Sequence, residues 1–207
     1  MSRDAGTTKK ERTRVHILHN AATLFSESGY SGVSMDELGK ACRLTKGALY
    51  DHFKSKEDVY TQCVADYLVK AISDIFSESI TDEKFSPEER LFSFLKSFLT
   101  RLQEDLALRR LLQRLLIDSN GIDLAAIYEY ALLHPFSYVV DLLTQYGSGI
   151  NAKIQIYSFF CSAIIGEDLR VIAGLLSPEF KDMPTKEAFL DHFKGVIQSA
   201  PYSKESN

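Results

Sequence analysis

Cysteine is scarce in this chain. Cys42, Cys63 and Cys161 are three among 207 residues, an odd number, far apart and in no CxxC pair. That spacing indicates neither a disulfide framework nor a zinc knuckle, and it suits a reducing compartment. No run approaches the roughly 20 uncharged apolar residues of a membrane-spanning helix. The opening "MSRDAGTTKKERTR" has no apolar stretch of signal-peptide type. The expectation is a soluble protein of the cytoplasm without a membrane partner. Also missing are a Gly-rich phosphate loop, a nucleophile elbow and an HExxH pair, so nothing marks an enzyme. His16 and His19 stand at i, i+3 with no third ligand placed by sequence, and Glu167 and Asp168 form no acid–base pair with His134 or His192 that spacing defines. No catalytic residue, metal or cofactor is expected. There is no internal repeat and no low-complexity linker.

What the chain does contain is 45% hydrophobic residues, enough for one large or two small globular domains. The total formal charge is −4, but residues 1–56 hold ten Lys and Arg against six Asp and Glu, which leaves the rest at −8. A basic head and an acidic body point to two different tasks.

Strand signals are nearly absent, whereas apolar residues three and four apart recur from about residue 13 to residue 198. The fold class is therefore all-α, with about nine helices. In the first, "RTRVHILHNAATLFSES", Leu18, Ala21, Ala22 and Phe25 make the apolar stripe and Gly29 the stop. Ser34 and Glu37 form a capping box for a second helix carrying Leu38 and Ala41, which must stop near Arg43. Thr45 caps a third, with Ala48, Leu49 and Phe53 inward and Lys46, Tyr50 and His52 outward. Ser55 starts a fourth, reaching about Ser79. Ser86, Pro87 and Glu89 open a fifth. "LALRRLLQRLLID" is a sixth, halted at Asn120 and Gly121. A seventh, about Leu124 to Tyr146, contains Pro135 and should kink there. "GSG" ends it, the eighth spans about 151–176 before the loop "SPEFKDMP", and "TKEAFLDHFKGVIQS" is the ninth. The expected domains are a flexible basic N-terminus (1–10), a helix-turn-helix domain (11–56), a larger helical domain (57–200) and a flexible tail (201–207).

Three short helices, with the turn "CRLT" between the second and third, have the organisation of a helix-turn-helix module that offers its last helix to the DNA major groove. Gly47 lets that helix's backbone come close to bases or phosphates, and the helix N-terminus presents N–H groups to a phosphate. Tyr50 and His52 can donate to phosphate oxygens, while Lys46 and the Ala48 methyl are placed for base edges. Taken singly, these residues equally fit a half-buried or solvated helix face; together they do not.

The segment "ILHNAATLFSESGYSGVSMDELGKACRLTKGALYDHFKSKEDVY" closely resembles the tetracycline-repressor-like (TetR/AcrR) family of bacterial transcription regulators. The resemblance is carried by Ile17, Ala21, Phe25, Gly29 and Tyr30, and above all by "KGALYDHFKSKE". It implies a homodimer on a palindromic double-stranded DNA operator, usually a repressor released by a small molecule, although activators use the same head. It also implies phosphate contacts from Ser34, Tyr50, His52 and Lys56, a recognition helix starting at Thr45 and Lys46, and a close backbone approach at Gly47. Two positions depart from the family pattern. Cys42 replaces a usual alanine, and Arg43 replaces a usual glycine, so that either a left-handed arginine is tolerated or the turn has another shape. Arg43 can also reach a phosphate.

In the body, the resemblance implies effector binding between the fourth and eighth helices and pairing through the eighth and ninth. The eighth is apolar nearly all round, as a helix shared between its own core and a partner must be. Gly166 and Gly174 lie on nearly one face, and Ile164, Leu169, Phe189 and Phe193 complete the expected interface. Tyr128, His134, Phe136 and Tyr138 around Pro135, with Tyr157 and Phe160, are the candidate pocket, suited to a hydrophobic or aromatic effector. The same aromatics also suit a plain core. Arg109, Arg110, Gln113 and Arg114 fit an anion anchor or simply the wet face of an amphipathic helix. An effector that prefers one spacing of two heads, transmitted through the fourth helix, would release DNA by reciprocity. A helical adaptor without DNA binding is the rival of another class; it has no need of Lys46, Gly47, Tyr50, His52 and Lys56 together.

Overall fold

The computed structural model describes residues 8–117, 124–146, 149–176 and 185–199, all of them helical or in turns and connections. The stops at Asn120 and Gly121, the loop "SPEFKDMP" and the tail lie outside the described residues. Two compact units are formed, one of residues 1–69 with 110–132 and one of residues 70–109 with 133–207. The chain passes from the first to the second inside its fourth helix, and back inside its sixth.

In the first unit, α1 (Lys9–Ser28) begins three residues before the sequence expectation. Thr8 is its cap: the Thr8 hydroxyl accepts from Glu11 N at 3.2 Å and the Glu11 carboxylate accepts from Thr8 N at 2.6 Å. Gly29, at φ 69°, ends it, a conformation open to glycine. α2 (Met35–Cys42) carries the expected capping box of Ser34 and Glu37. It buries Leu38 and Cys42; Ala41 faces solvent, contrary to expectation, because the stripe runs through position 42. The short α3 (Lys46–Tyr50) is capped by Thr45 Oγ1, which accepts from Ala48 N at 3.2 Å. α4 (Lys56–Glu78) then brings Val59, Tyr60 and Cys63 against the same core as Ile17, Phe25, Leu49 and Phe53. Phe25 and Tyr60 meet edge-on with centroids 4.9 Å apart, an arrangement that adds to their area burial.

The turn between α2 and α3 decides the Arg43 question. Arg43 is left-handed (φ 55°, ψ 40°), the αL residue that ends α2, and Leu44 N donates to the Gly39 carbonyl at 2.8 Å. Glycine stands one turn earlier instead. A Cβ on Gly39 would lie 2.8 Å from the Leu44 carbonyl oxygen, closer than real Cβ contacts come.

In the second unit, α5 (Pro87–Glu104) opens on the Ser86–Glu89 capping box with Pro87 at its first position. α6 (Leu106–Ile117) follows after Asp105. The expected seventh helix is three pieces: α7 (Leu124–Ile127) and a π-helical turn (Tyr128–Leu132), both of the first unit, and α8 (Leu133–Tyr146) of the second. The wider turn sits just upstream of Pro135, whose ring crowds the carbonyl four residues back. α9 (Gly149–Leu176) and α10 (Lys186–Ser199) complete the chain. Leu91, Phe94, Leu95, Val139, Leu142, Phe159 and Phe193 are the buried centre of this unit.

Candidate nucleic-acid interface

The exposed surface around α3 is made of Arg43, Thr45, Lys46, Gly47 and Tyr50; Ala48 is half-buried and Leu49 is fully inside. Of these, Gly47 is the most informative. A Cβ built there meets nothing nearer than Thr45 Oγ1 at 3.9 Å, and the backbone is helical. Nothing among the described residues asks for glycine at a position where it costs up to about 1 kcal/mol against alanine.

Side chains around it divide into those held by the protein and those offered outward. Tyr50 is 49% exposed. Thr45 is exposed and uses its side-chain oxygen as the cap. Ser34 is more committed: its hydroxyl accepts from Glu37 N at 3.2 Å and donates to Glu37 Oε2 at 2.8 Å. Those hydrogen bonds hold the Glu37 carboxyl below its ordinary pKa. Lys46 Nζ lies 3.0 Å from Asp36 Oδ2, across the turn. This hydrogen bond, with the carboxylate's charge, raises the Lys46 pKa.

Lys56 is engaged rather than free. Its ammonium donates to the Tyr30 carbonyl at 3.0 Å and sits 4.1 Å from the centre of the Tyr30 ring. It thereby ties the start of α4 to the loop after α1, a role for which a lysine within "KSKE" gives no signal. His52 is half-buried, with Nδ1 inside and no hydrogen-bond partner among the described residues, while its carbonyl accepts from Arg14 at 3.3 Å. Arg14 was not singled out from the sequence. Its guanidinium also lies 4.7 Å from the centre of the Phe53 ring, so it pins the end of α3 to α1. His16 Nε2, 3.2 Å from the Cys42 carbonyl, does the same for the end of α2 in the tautomer that donates there. Among the described residues no group of three His, Cys, Asp or Glu side chains is placed to hold a metal.

The five candidate pocket residues of the second unit fall into two groups. On α8, His134 and Tyr138 share a face and meet Phe76, with centroids 5.5 and 5.1 Å away. Phe136, about 200° round the helix from His134, packs instead on Phe160 and Tyr157 at 5.5 and 5.7 Å. Two aromatic clusters therefore flank α8. Tyr128 lies in the π-helical turn of the first unit and is 53% exposed. Of the interface candidates, Leu169 is exposed, Ile164, Gly166 and Phe189 are half-buried, and Gly174 lies on α9 outside the described side chains. Phe193 corrects the expectation: it is buried within its own protomer, 5.1 Å edge-on from Phe159. Arg114 donates to the Glu27 carbonyl at 3.3 Å, within the first unit, a contact the sequence did not foretell.

A three-helix head that leaves its third helix exposed around Gly47 has the organisation of a helix-turn-helix module. Residues 17–63 match the sequence pattern of "Bacterial regulatory proteins, tetR family". The biofilm operon icaADBC negative transcriptional regulator IcaR of Staphylococcus aureus is 36% identical over 91 residues, 42% of this chain and 46% of that protein. The transcriptional regulator AcrR of Shigella flexneri is 47% identical over 60 residues, 28% of each chain. The matched stretches thus span under half the length of these curated relatives. In fold, the hemolysin II transcriptional regulator HlyIIR is similar with a TM-score of 0.65 at 19% identity, over 93% of this chain and 98% of that one. The regulator FadR from Bacillus subtilis, solved with stearoyl-CoA, has a TM-score of 0.61 at 18% identity over 93% and 99%.

Proposed function

We propose that the chain is a sequence-specific DNA-binding transcriptional regulator of the cytoplasm, a homodimeric repressor that leaves a palindromic operator when a small hydrophobic or aromatic effector binds. The observation that carries DNA binding is Gly47, a helical glycine with open space outside it and no internal need, flanked by Thr45, Lys46 and Tyr50. The negative regulation named for IcaR supports the sign.

For the homodimer, support comes from α9. Ile154, Tyr157, Cys161, Ile165 and Leu169, three or four residues apart, form one exposed stripe, with Ile154 and Tyr157 at 60% and 57%. An apolar stripe of that length on a helix whose other face is core is the pattern of a helix that meets a second copy. It runs one position beside the expected Ile164. For the effector, the two aromatic clusters flanking α8 offer apolar walls, and FadR, similar in fold, was solved with an acyl-CoA. α4 supplies both the end of the head and Phe76 of one cluster, which supports coupling along that helix.

The test is fluorescence anisotropy of the purified protein with the DNA upstream of its own gene, beside a scrambled duplex, across a salt series. Preference for the upstream duplex with a steep salt slope establishes the reading. Equal, weak binding to both removes it.

A further inference from the structure

Asp36 is the second residue of α2, and Lys46 is the first of α3; their side chains are 64% and 51% exposed, and their charged atoms lie 3.0 Å apart on the surface that Gly47 and Tyr50 share. An exposed pair of this kind adds little stability. Its arrangement has another use. It presents a donor and an acceptor side by side at a fixed spacing.

The major-groove edge of a base pair presents the same pattern. In a G·C pair, guanine O6 accepts and cytosine N4 donates; in a T·A pair, thymine O4 accepts and adenine N6 donates. In each case the two atoms are hydrogen-bonded to one another and so stand about 2.9 Å apart. A Lys46 ammonium over the keto oxygen and an Asp36 carboxylate over the amino group match both atoms. The reversed pairs, C·G and A·T, set donor against donor and acceptor against acceptor. Lysine has three protons to give. With one on Asp36 and one on O6, the third reaches N7 if the keto base is guanine, whereas thymine offers only its methyl group.

Resting on the regulator reading above, the geometry points to the Asp36–Lys46 pair as a single reading unit that takes a keto base under Lys46 and an amino base under Asp36, G·C first and T·A second. Asp36 is then a specificity-determining residue that no phosphate-contact reasoning reveals. It also keeps the Lys46 ammonium from being drawn to whatever phosphate lies nearest.

The experiment is selection of bound duplexes from a randomised pool by the full-length protein, followed by titration of the selected site and its three base-pair variants at the position concerned. The wild type is expected to show one position per half-site ranked G·C, then T·A, with C·G and A·T roughly ten-fold or more weaker. Asp36→Ala is expected to compress that ranking and to steepen the salt dependence by about 0.9 in log–log slope, one phosphate gained by a released Lys46. The exchange D36K/K46D keeps an ion pair at two exposed positions and should invert the ranking to C·G and A·T. A wild-type ranking that ignores keto and amino, or an exchange variant that retains the wild-type ranking while melting at the wild-type temperature, overturns the assignment. A wild type that enriches no sequence at all overturns the regulator reading and the assignment with it.

Discussion

Gly47→Ala separates what the protein needs from what its partner needs. The added methyl meets nothing inside 3.9 Å and the backbone there is helical, so no strain enters the free protein. Alanine restricts the unfolded chain and is the better helix former, together a gain of about 0.5–1 kcal/mol at a compatible site. For a chain of this size that is a rise in Tm of roughly 1–4 °C. DNA binding should move the other way. A methyl group on the surface that approaches the groove either clashes or pushes the helix back, and a loss of about 1.4 kcal/mol is already ten-fold in Kd. Melting curves and anisotropy titrations on the same two preparations give both numbers. Unchanged affinity for the operator, with the protein folded, would refute the inference that the space outside Gly47 is for DNA; a fall in Tm would refute the claim that nothing inside requires glycine. Gly39→Ala is the control of opposite sign, because its methyl meets the Leu44 carbonyl at 2.8 Å, and it should destabilise by about 1–3 kcal/mol.

Tyr50→Ala should weaken binding to operator variants evenly, without changing their order, because a phosphate contact carries no base information; a changed order in a competition titration would count against it. The acid limb of stability should involve Glu37 and Glu89, whose folded pKa values are lowered by the capping serines. A lowered carboxyl favours the folded state above its unfolded pKa, and that contribution disappears as pH falls through the folded value. Ser34→Ala should therefore flatten the acid limb, read from denaturation midpoints between neutral and acid pH. Ile165→Glu and Leu169→Glu should each yield monomers in sedimentation, since both lie on the exposed stripe of α9. Cys63 is fully buried, which drives its thiol pKa far up, whereas Cys161 is exposed. A thiol reagent should thus modify Cys161 first, more slowly as protein concentration favours dimers, and reach Cys63 only on unfolding.

Helix starts were legible because their chemistry is local. Ser34 with Glu37 and Ser86 with Pro87 and Glu89 are signals within four residues, and both stand as read. Thr8 with Glu11 has the same form, yet it sits in a polar, basic stretch with no apolar stripe to draw attention to it. What joins helices was not legible. Arg14 with His52, Lys56 with Tyr30 and Arg114 with Glu27 are separated by 38, 26 and 87 residues. No spacing rule connects such pairs. The aromatic run around Pro135 misled for a geometric reason: neighbours in sequence at 134 and 136 face opposite sides of a helix, so composition suggested one pocket where the fold builds two clusters.

The internal engagement of the head's cations has a kinetic consequence. From a distance DNA feels every positive charge on the head, whether its hydrogen bonds are made or not, so Arg14 and Lys56 still draw the protein toward a duplex over roughly a Debye length. At contact the tally changes, because a lysine that already donates to a carbonyl and rests on a tyrosine ring has little reason to move to a phosphate. Encounter and residence then answer to different residues: the association rate should fall with salt more steeply than the bound-state contacts alone imply, while the dissociation rate depends on the few outward groups around Gly47. A regulator of the proposed kind, arranged in this way, would find DNA readily and let most of it go.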